Sequence, residues 1–261
     1  MFELDELAYR SACLKWSPTG KFVFVLTLLI SSLLAKSLLV PLVIAILGVL
    51  LLGYSIRFKF PRIIGIILLE AVGMIILGAI IIAAVTPGET VFTLDLLLFQ
   101  IDFSNAGLFT ASLVTLRALA GMSVMLFFAT STPIPYFADM LIRMKVPKEF
   151  TELMTLVYRY SFMLFDEVER MYIAAQCRLG FRGKMNSLRT YASMLTGVFI
   201  RSIETAERQN IGMQCRNYQS NVALLRQPKG ITYTWGIVSA IAFLGLFQLN
   251  QMCLDVGILL G

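Results

Sequence analysis

The sequence predicts an all-α, polytopic membrane protein with about five or six transmembrane helices plus two long amphipathic cytoplasmic helices. Three observations carry this. Of 261 residues, 58% are hydrophobic and 15% charged, whereas a soluble domain is about half apolar and about a quarter charged. Several apolar stretches approach or exceed the roughly 20 residues needed to cross a bilayer. The polar residues gather in one stretch, 132–230, which holds 14 of the 22 basic residues and 8 of the 16 acids.

Composition also removes chemistry. There is no histidine, so imidazole metal sites and Ser-His-Asp triads are excluded. Cys13, Cys177, Cys215 and Cys253 are far apart and form no C-x-x-C pair, so neither a zinc site nor a redox motif is indicated. No cofactor or resident metal is expected.

The elements follow in order. Residues 1–17 carry Glu3, Asp5, Glu6, Arg10, Lys15 and Trp16, unlike a secretory leader, and are read as mature protein. Ser17-Pro18 resembles an N-cap followed by proline at the first helical position. The run from Pro18 to Ile56, with Lys21 and Lys36 its only charges, is too long for one span at about 1.5 Å per residue. It divides into spans near 18–35 and 37–56, turning at Lys36-Ser37. A third span covers about 63–85 and ends at Pro87-Gly88. A fourth covers 107–131, and a fifth about 231–250, where Tyr233 and Trp235 suit the headgroup level. Hydropathy leaves room for a sixth, short membrane-embedded helix within 91–101. The domains expected are 1–131 in the membrane, 132–230 cytoplasmic, and 231–261 as a C-terminal span.

Lys and Arg in short loops are retained inside. Arg57, Lys59 and Arg62 follow the second span, whereas 87–106 holds Glu89, Asp95 and Asp102 but no base. The N-terminus and 132–230 are therefore expected in the cytoplasm.

Within 132–230, Phe150, Leu153, Val157, Tyr160, Leu164, Val168, Met171 and Ala175 step by three or four, giving one apolar stripe on a helix of roughly eight turns. Gly180 and Gly183 break it. Asn186 or Ser187 can cap a second helix with a stripe of Leu188, Ala192, Leu195, Phe199, Ile203 and Ala206. The opposite faces carry Glu167, Arg170, Arg178, Arg201, Glu204, Glu207 and Arg208. Pattern alone leaves two readings open. One is a pair of amphipathic helices lying on each other or on anionic lipid. The other is a platform offering arginines, whose forked guanidinium suits carboxylates, to a soluble partner.

Two charges fall inside spans. Glu70 and Arg117 are expected to form a structural intramembrane pair, or Glu70 to reach toward an interface, rather than to serve as a relay, because arginine does not deprotonate. Gly65, Gly73 and Gly78 give the third span small-residue steps that permit close helix approach. No G-x-x-x-x-G-K-[ST] loop is present: Gly20-Lys21 precedes Phe22, and Gly183-Lys184 precedes Met185. ATP hydrolysis by that route needs another subunit, and the chain is expected not to be an enzyme.

Several segments resemble a known family. Ala8-Tyr9-Arg10-Ser11, Trp16-Ser17-Pro18 and Lys21-Phe22 are similar to the start of CbiQ, the cobalt-uptake branch of the transmembrane T component of energy-coupling factor transporters. Thr130-Ser131-Thr132-Pro133, Leu141, Val146-Pro147, Tyr158-Arg159-Tyr160 and Glu167 resemble the common T-component core. Two short signatures, built in the family around Ala-Arg-Gly, read here Gln176-Cys177-Arg178-Leu179-Gly180 and Gln214-Cys215-Arg216-Asn217. Cysteine replaces alanine in both; the glycine is displaced in the first and becomes Asn217 in the second.

The resemblance implies that Arg178 and Arg216, with Cys177, Leu179, Gly180, Cys215 and Asn217 beside them, dock two ATP-binding cassette ATPase subunits. It implies two cytoplasmic helices crossing as an X, and a small substrate-capturing membrane subunit, most simply one for cobalt. Nickel or a vitamin is the alternative cargo. A secondary transporter or channel is the rival class, which predicts inverted repeats or several polar groups at mid-membrane; neither is evident.

Overall fold

A computed structural model describes residues 3–57, 62–86, 90–96, 99–217 and 233–255. Lys59, Pro87, Gly88, Glu89, residues 231–232 and the segment from Tyr218 to Lys229 lie outside the described residues. The chain is an all-α polytopic membrane protein carrying one small β hairpin. Its contacts divide it into two compact units, residues 1–137 with 229–261, and residues 138–228.

In the first unit, helix α1 (Glu3–Arg10) and a 3-10 turn (Ala12–Lys15) precede the apolar helices α2 (Pro18–Leu34) and α3 (Leu39–Ser55). Helices α4 (Arg62–Val85), α5 (Asn105–Ser131) and α9 (Tyr233–Asp255) complete the membrane set. Among the described residues, three segments are long and apolar enough to cross a membrane: Ile64–Val85, Gly107–Ser131 and Thr234–Cys253. Helices α2 and α3, of 17 residues each, fall at the short end of the spanning range, about 17–25 residues. Pro18 does open α2, and Ser17 is its N-cap residue, but the Ser17 hydroxyl makes no capping bond. The turn between α2 and α3 is held by the Lys36 backbone N–H donating to Asn250 Oδ1 at 3.2 Å.

Helix α5 lies at the centre of this unit and touches α1, α2, α3 and α4. Val25, Leu28, Ile44, Leu52, Ala120, Val124 and Phe127 form the buried cluster around it. A Cβ on Gly48 of α3 would stand 2.3 Å from Ser123 Oγ and 2.9 Å from Ser123 Cβ on α5, so glycine is needed for that close approach. Trp235 likewise occupies the space a Cβ on Gly20 would fill and its ring centroid lies 5.0 Å from that of Trp16. It is a packing residue between elements.

Where a sixth membrane-embedded helix had room, two antiparallel strands stand instead: β1 (Thr90–Leu96) and β2 (Phe99–Ser104), pairing Thr93 with Asp102 and Asp95 with Gln100. The β-branched and aromatic residues of Thr90-Val91-Phe92-Thr93 suit a strand.

The expected Glu70–Arg117 pair is not formed. The Arg117 guanidinium donates through Nη2 to the carbonyl of Ala35, the residue that caps the C-terminus of α2. Glu70 is exposed on α4 and bonds to no described residue. Depth along two spans says nothing of the direction in which each side chain leaves its helix, and here the directions differ. A second cation does the same work as Arg117: the buried Lys21 Nζ donates to the carbonyl of Ser131, the last residue of α5, at 2.6 Å. Cations at helix C-termini complement the macrodipole and occupy otherwise open carbonyls.

Gly48→Ala is expected to destabilise the protein by about 1–3 kcal/mol through overpacking, and Ser123→Gly should restore most of the loss. Thermal unfolding in one detergent, followed by tryptophan fluorescence, checks both. A second prediction concerns helix α6 (Ile134–Arg143). Asp139 is buried there, its Oδ1 has no hydrogen-bond partner, and burial raises its pKa above 3.8, with Arg143 partly offsetting. The folded carboxyl holds its proton to higher pH than the unfolded one, so stability falls as pH rises from the ordinary aspartate range through the raised value. Asp139→Asn should therefore be the more stable variant at about pH 8, by about 1 kcal/mol, with the gain shrinking towards about pH 4.

Candidate functional site

The second unit is dominated by α7 (Lys148–Cys177) and α8 (Lys184–Cys215), of 30 and 32 residues. They run antiparallel, as four contacts show. Glu167 and Arg201 form an ion pair. Met171 meets Gly197, where a Cβ would lie 3.3 Å from Met171 Cε. The Thr190 hydroxyl donates to Gly180 O at 2.8 Å. Phe181 is ringed by Tyr172 and Tyr191, with centroids at 5.0 and 5.1 Å.

The expected break at Gly180 and Gly183 is where the hairpin turns. Gly183 has φ +91°, a conformation glycine adopts without penalty. Helix α8 starts at Lys184, before the expected caps Asn186 and Ser187. Those side chains donate backwards, Asn186 Nδ2 to Arg182 O and Ser187 Oγ to Gly183 O and Phe181 O. They satisfy turn carbonyls instead of the first helical N–H groups.

Both helices stop in the same way. Arg178 caps α7 with φ −90° and ψ 12°; Arg216 caps α8 with φ −92° and ψ 13°. The next residue is left-handed in each case, Leu179 at φ 56° and Asn217 at φ 53°. The Leu179 N–H donates to Gln176 O at 3.0 Å and the Gly180 N–H to Ala175 O at 2.9 Å, the paired bonds of a Schellman cap. At the second end the Asn217 N–H donates to Gln214 O at 3.0 Å. Thus the position that favours glycine is filled by leucine in one tip and asparagine in the other. Gly180 stays beside it for a different reason: a Cβ there would stand 2.9 Å from Thr190 Oγ1.

The chemistry displayed is cationic. From Met171 to Ile203 there is no acid and there are five bases: Arg178, Arg182, Lys184, Arg189 and Arg201. Arg178, Arg189 and Arg201 line one open groove of about 480 Å³ with Thr190 and Ser193. Arg178 and Arg216 are exposed, as are the free thiols Cys177 and Cys215. The first set of expected site residues, Cys177, Arg178, Leu179 and Gly180, forms one tip. Cys215, Arg216 and Asn217 form a separate one at the opposite end of α8. The apolar stripes are not consumed in pairing: Phe150, Leu153 and Val157 on α7, and Leu188, Leu195, Phe199 and Ile203 on α8, all remain exposed. The Glu167–Arg201 clasp was not visible in the sequence, because their pairing depends on a helix register that the 178–183 turn sets.

Leucine in the left-handed region costs about 1–2 kcal/mol. Leu179→Gly is expected to strengthen the last turn of α7 by about 1 kcal/mol, read as slower amide hydrogen exchange over residues 174–180. Leu179→Val should weaken it.

The chain was compared with known proteins. A family model described as cobalt transport protein, CbiQ, matches residues 10–225. An uncharacterized protein of Methanocaldococcus jannaschii is 30% identical over 224 residues, 85% of this chain and 83% of that protein. A fused cobalt transport protein CbiMQ of Methanocorpusculum labreanum is 31% identical over 234 residues, 88% of this chain but 38% of that longer protein. The cobalt transport protein CbiQ of Rhodobacter capsulatus is 29% identical over 182 residues, 70% of this chain and 69% of its own. With the helical membrane unit and the two arginine-ended helices, these similarities identify the chain as a member of the CbiQ cobalt transport protein family.

Proposed function

We propose that this chain is the transmembrane coupling component of an ATP-driven cobalt importer. The observation that carries this reading is the repeated helix ending, Gln-Cys-Arg followed by a left-handed residue, at the C-termini of α7 and α8. Two backbone stops with nearly the same dihedral angles, each ending a long helix in an exposed arginine, suit two like grooves on two ATPase subunits. Arginine holds such a position well because its planar fork is pre-organised for bidentate bonds to carboxylates. The sequence has no phosphate-binding loop of its own, so the nucleotide chemistry belongs to those partners.

In this reading ATP binding draws the two ATPase subunits together. Their movement shifts Arg178 and Arg216, and α7 and α8, clasped by Glu167–Arg201, turn as a pair. The exposed apolar stripes of the same helices carry a substrate-capturing membrane subunit, whose tilt delivers the cargo. The relative named as a fused CbiMQ protein supports a second transport component working beside this one. Arg57, Lys59 and Arg62 after the second span support a cytoplasmic N-terminus and a cytoplasmic 132–230.

The test is the double variant Arg178→Glu and Arg216→Glu in the intact transporter. The variant chain should remain in the membrane, lose ATPase subunits on affinity purification, and reduce ATP-dependent cobalt uptake by at least about tenfold, a loss of about 1.4 kcal/mol or more. Retained ATPase binding at wild-type stoichiometry would move the contact elsewhere.

A further inference from the structure

The turn between α2 and α3 lies deep in the membrane unit. Three contacts set α2 antiparallel to α5: Lys21 Nζ on the Ser131 carbonyl, Leu29 Cδ2 at 3.8 Å from the place of a Cβ on Gly121, and the Arg117 guanidinium on the Ala35 carbonyl. Helix α3 returns parallel to α5, with Gly48 at Ser123 and the Ser55 hydroxyl donating to Thr130 O at 3.4 Å. The turn at 35–38 is therefore level with Arg117. From there the spanning segment of α5 runs on for ten residues to Gly107, about 15 Å. Non-helical backbone at such depth has to be covered by protein or to meet water.

This turn gathers hydrogen-bond donors without an acid. Arg117 spends Nη2 on Ala35 O, but its Nε is buried and has no hydrogen-bond partner among the described residues. The same holds for the hydroxyls of Ser32 and Ser37, three positions before Ala35 and two after it. Those two residues are 3% and 4% exposed. Elsewhere in these helices hydroxyls fold back onto their own helix, Thr27 onto Val23 O, Thr115 onto Ala111 O and Ser123 onto Ala120 O; Ser32 and Ser37 do not. Helix α3 starts at the same place with no side-chain cap. Its first backbone bond is from Leu42 N–H to Leu38 O, so the helix itself leaves the N–H groups of Leu39 and Val40 open, at the positive end of its dipole. Lys36, exposed, adds a second cation. Helices α2, α3 and α5 contain no aspartate or glutamate.

We infer that the α2–α3 turn is a binding site for a small inorganic anion of the chloride class, held by Arg117 Nε, the Ser32 and Ser37 hydroxyls and the N-terminus of α3. An ionised guanidinium at membrane depth is costly unless its charge is met. Water satisfies donors but leaves that charge in place; an anion does both. The depth of the two hydroxyls selects a single-atom ion over a carboxylate side chain or a phosphodiester. The guanidinium, only half-buried, is the point of entry.

The test is equilibrium binding of radiolabelled chloride to the purified full chain in detergent. Saturable binding is expected, displaced by bromide but not by gluconate, with an unfolding temperature that rises with chloride at constant ionic strength. The double variant Ser32→Ala and Ser37→Ala leaves Arg117 on Ala35 and so keeps the fold. It should bind chloride about tenfold more weakly, since hydrogen bonds to a charged group are the strong kind, and lose the chloride-dependent rise. Hydroxyls that merely pack would shift the unfolding temperature equally with and without chloride, and that result overturns the inference. So does the absence of saturable binding by wild type, or equal stabilisation by gluconate and chloride, the mark of ionic strength alone. A phospholipid that co-purifies with wild type and is lost from Arg117→Lys would give the site to a headgroup and overturn the choice of a free ion.

Discussion

The contact on which the membrane unit depends is the approach of α3 to α5 at Gly48 and Ser123. Without a Cβ on Gly48 the two backbones come close enough for Ser123 to lie against the glycine, and Ile44, Leu52, Val124 and Phe127 close around that point. In lipid there is no hydrophobic force between helices, so dispersion at short range and matched shapes must hold them. Helix α5 can then serve as the post against which α1, α2, α3 and α4 are all set.

Two cations of this unit sit on the ends of helices. Lys21 sits on the final carbonyl of α5, and Arg117 on the carbonyl that caps α2. Each cation satisfies an acceptor that the helix itself leaves open, and each ties two elements distant in sequence.

Much of this was legible in the sequence. The five apolar helices follow from their hydropathy, the two long helices from a period of three to four, and the stop of the first from glycines at 180 and 183. What escaped was whatever depends on direction or register. The Glu70–Arg117 pairing matched in depth but not in azimuth. The start of α8 at Lys184 was hidden by Asn186 and Ser187, good capping residues that bond backwards here. The strands Thr90–Leu96 and Phe99–Ser104 stand where hydropathy left room for a helix, because an apolar run this short fits either structure. At the site, both arginines could be found from their motifs, but the left-handed residue after each could not. Leucine is not a residue that announces such a conformation.

The length of α8 sets a geometric condition. Thr190, which touches the first tip, stands about 26 residues before Arg216, roughly 39 Å of continuous helix. That exceeds the roughly 30 Å breadth of a small domain, so no single pocket can grip both guanidinium groups. The rod acts as a calliper of constant gap. Two bodies seated on its ends keep their distance, so they can approach within one plane only if the rod tilts out of it, and an in-plane approach is converted into rotation.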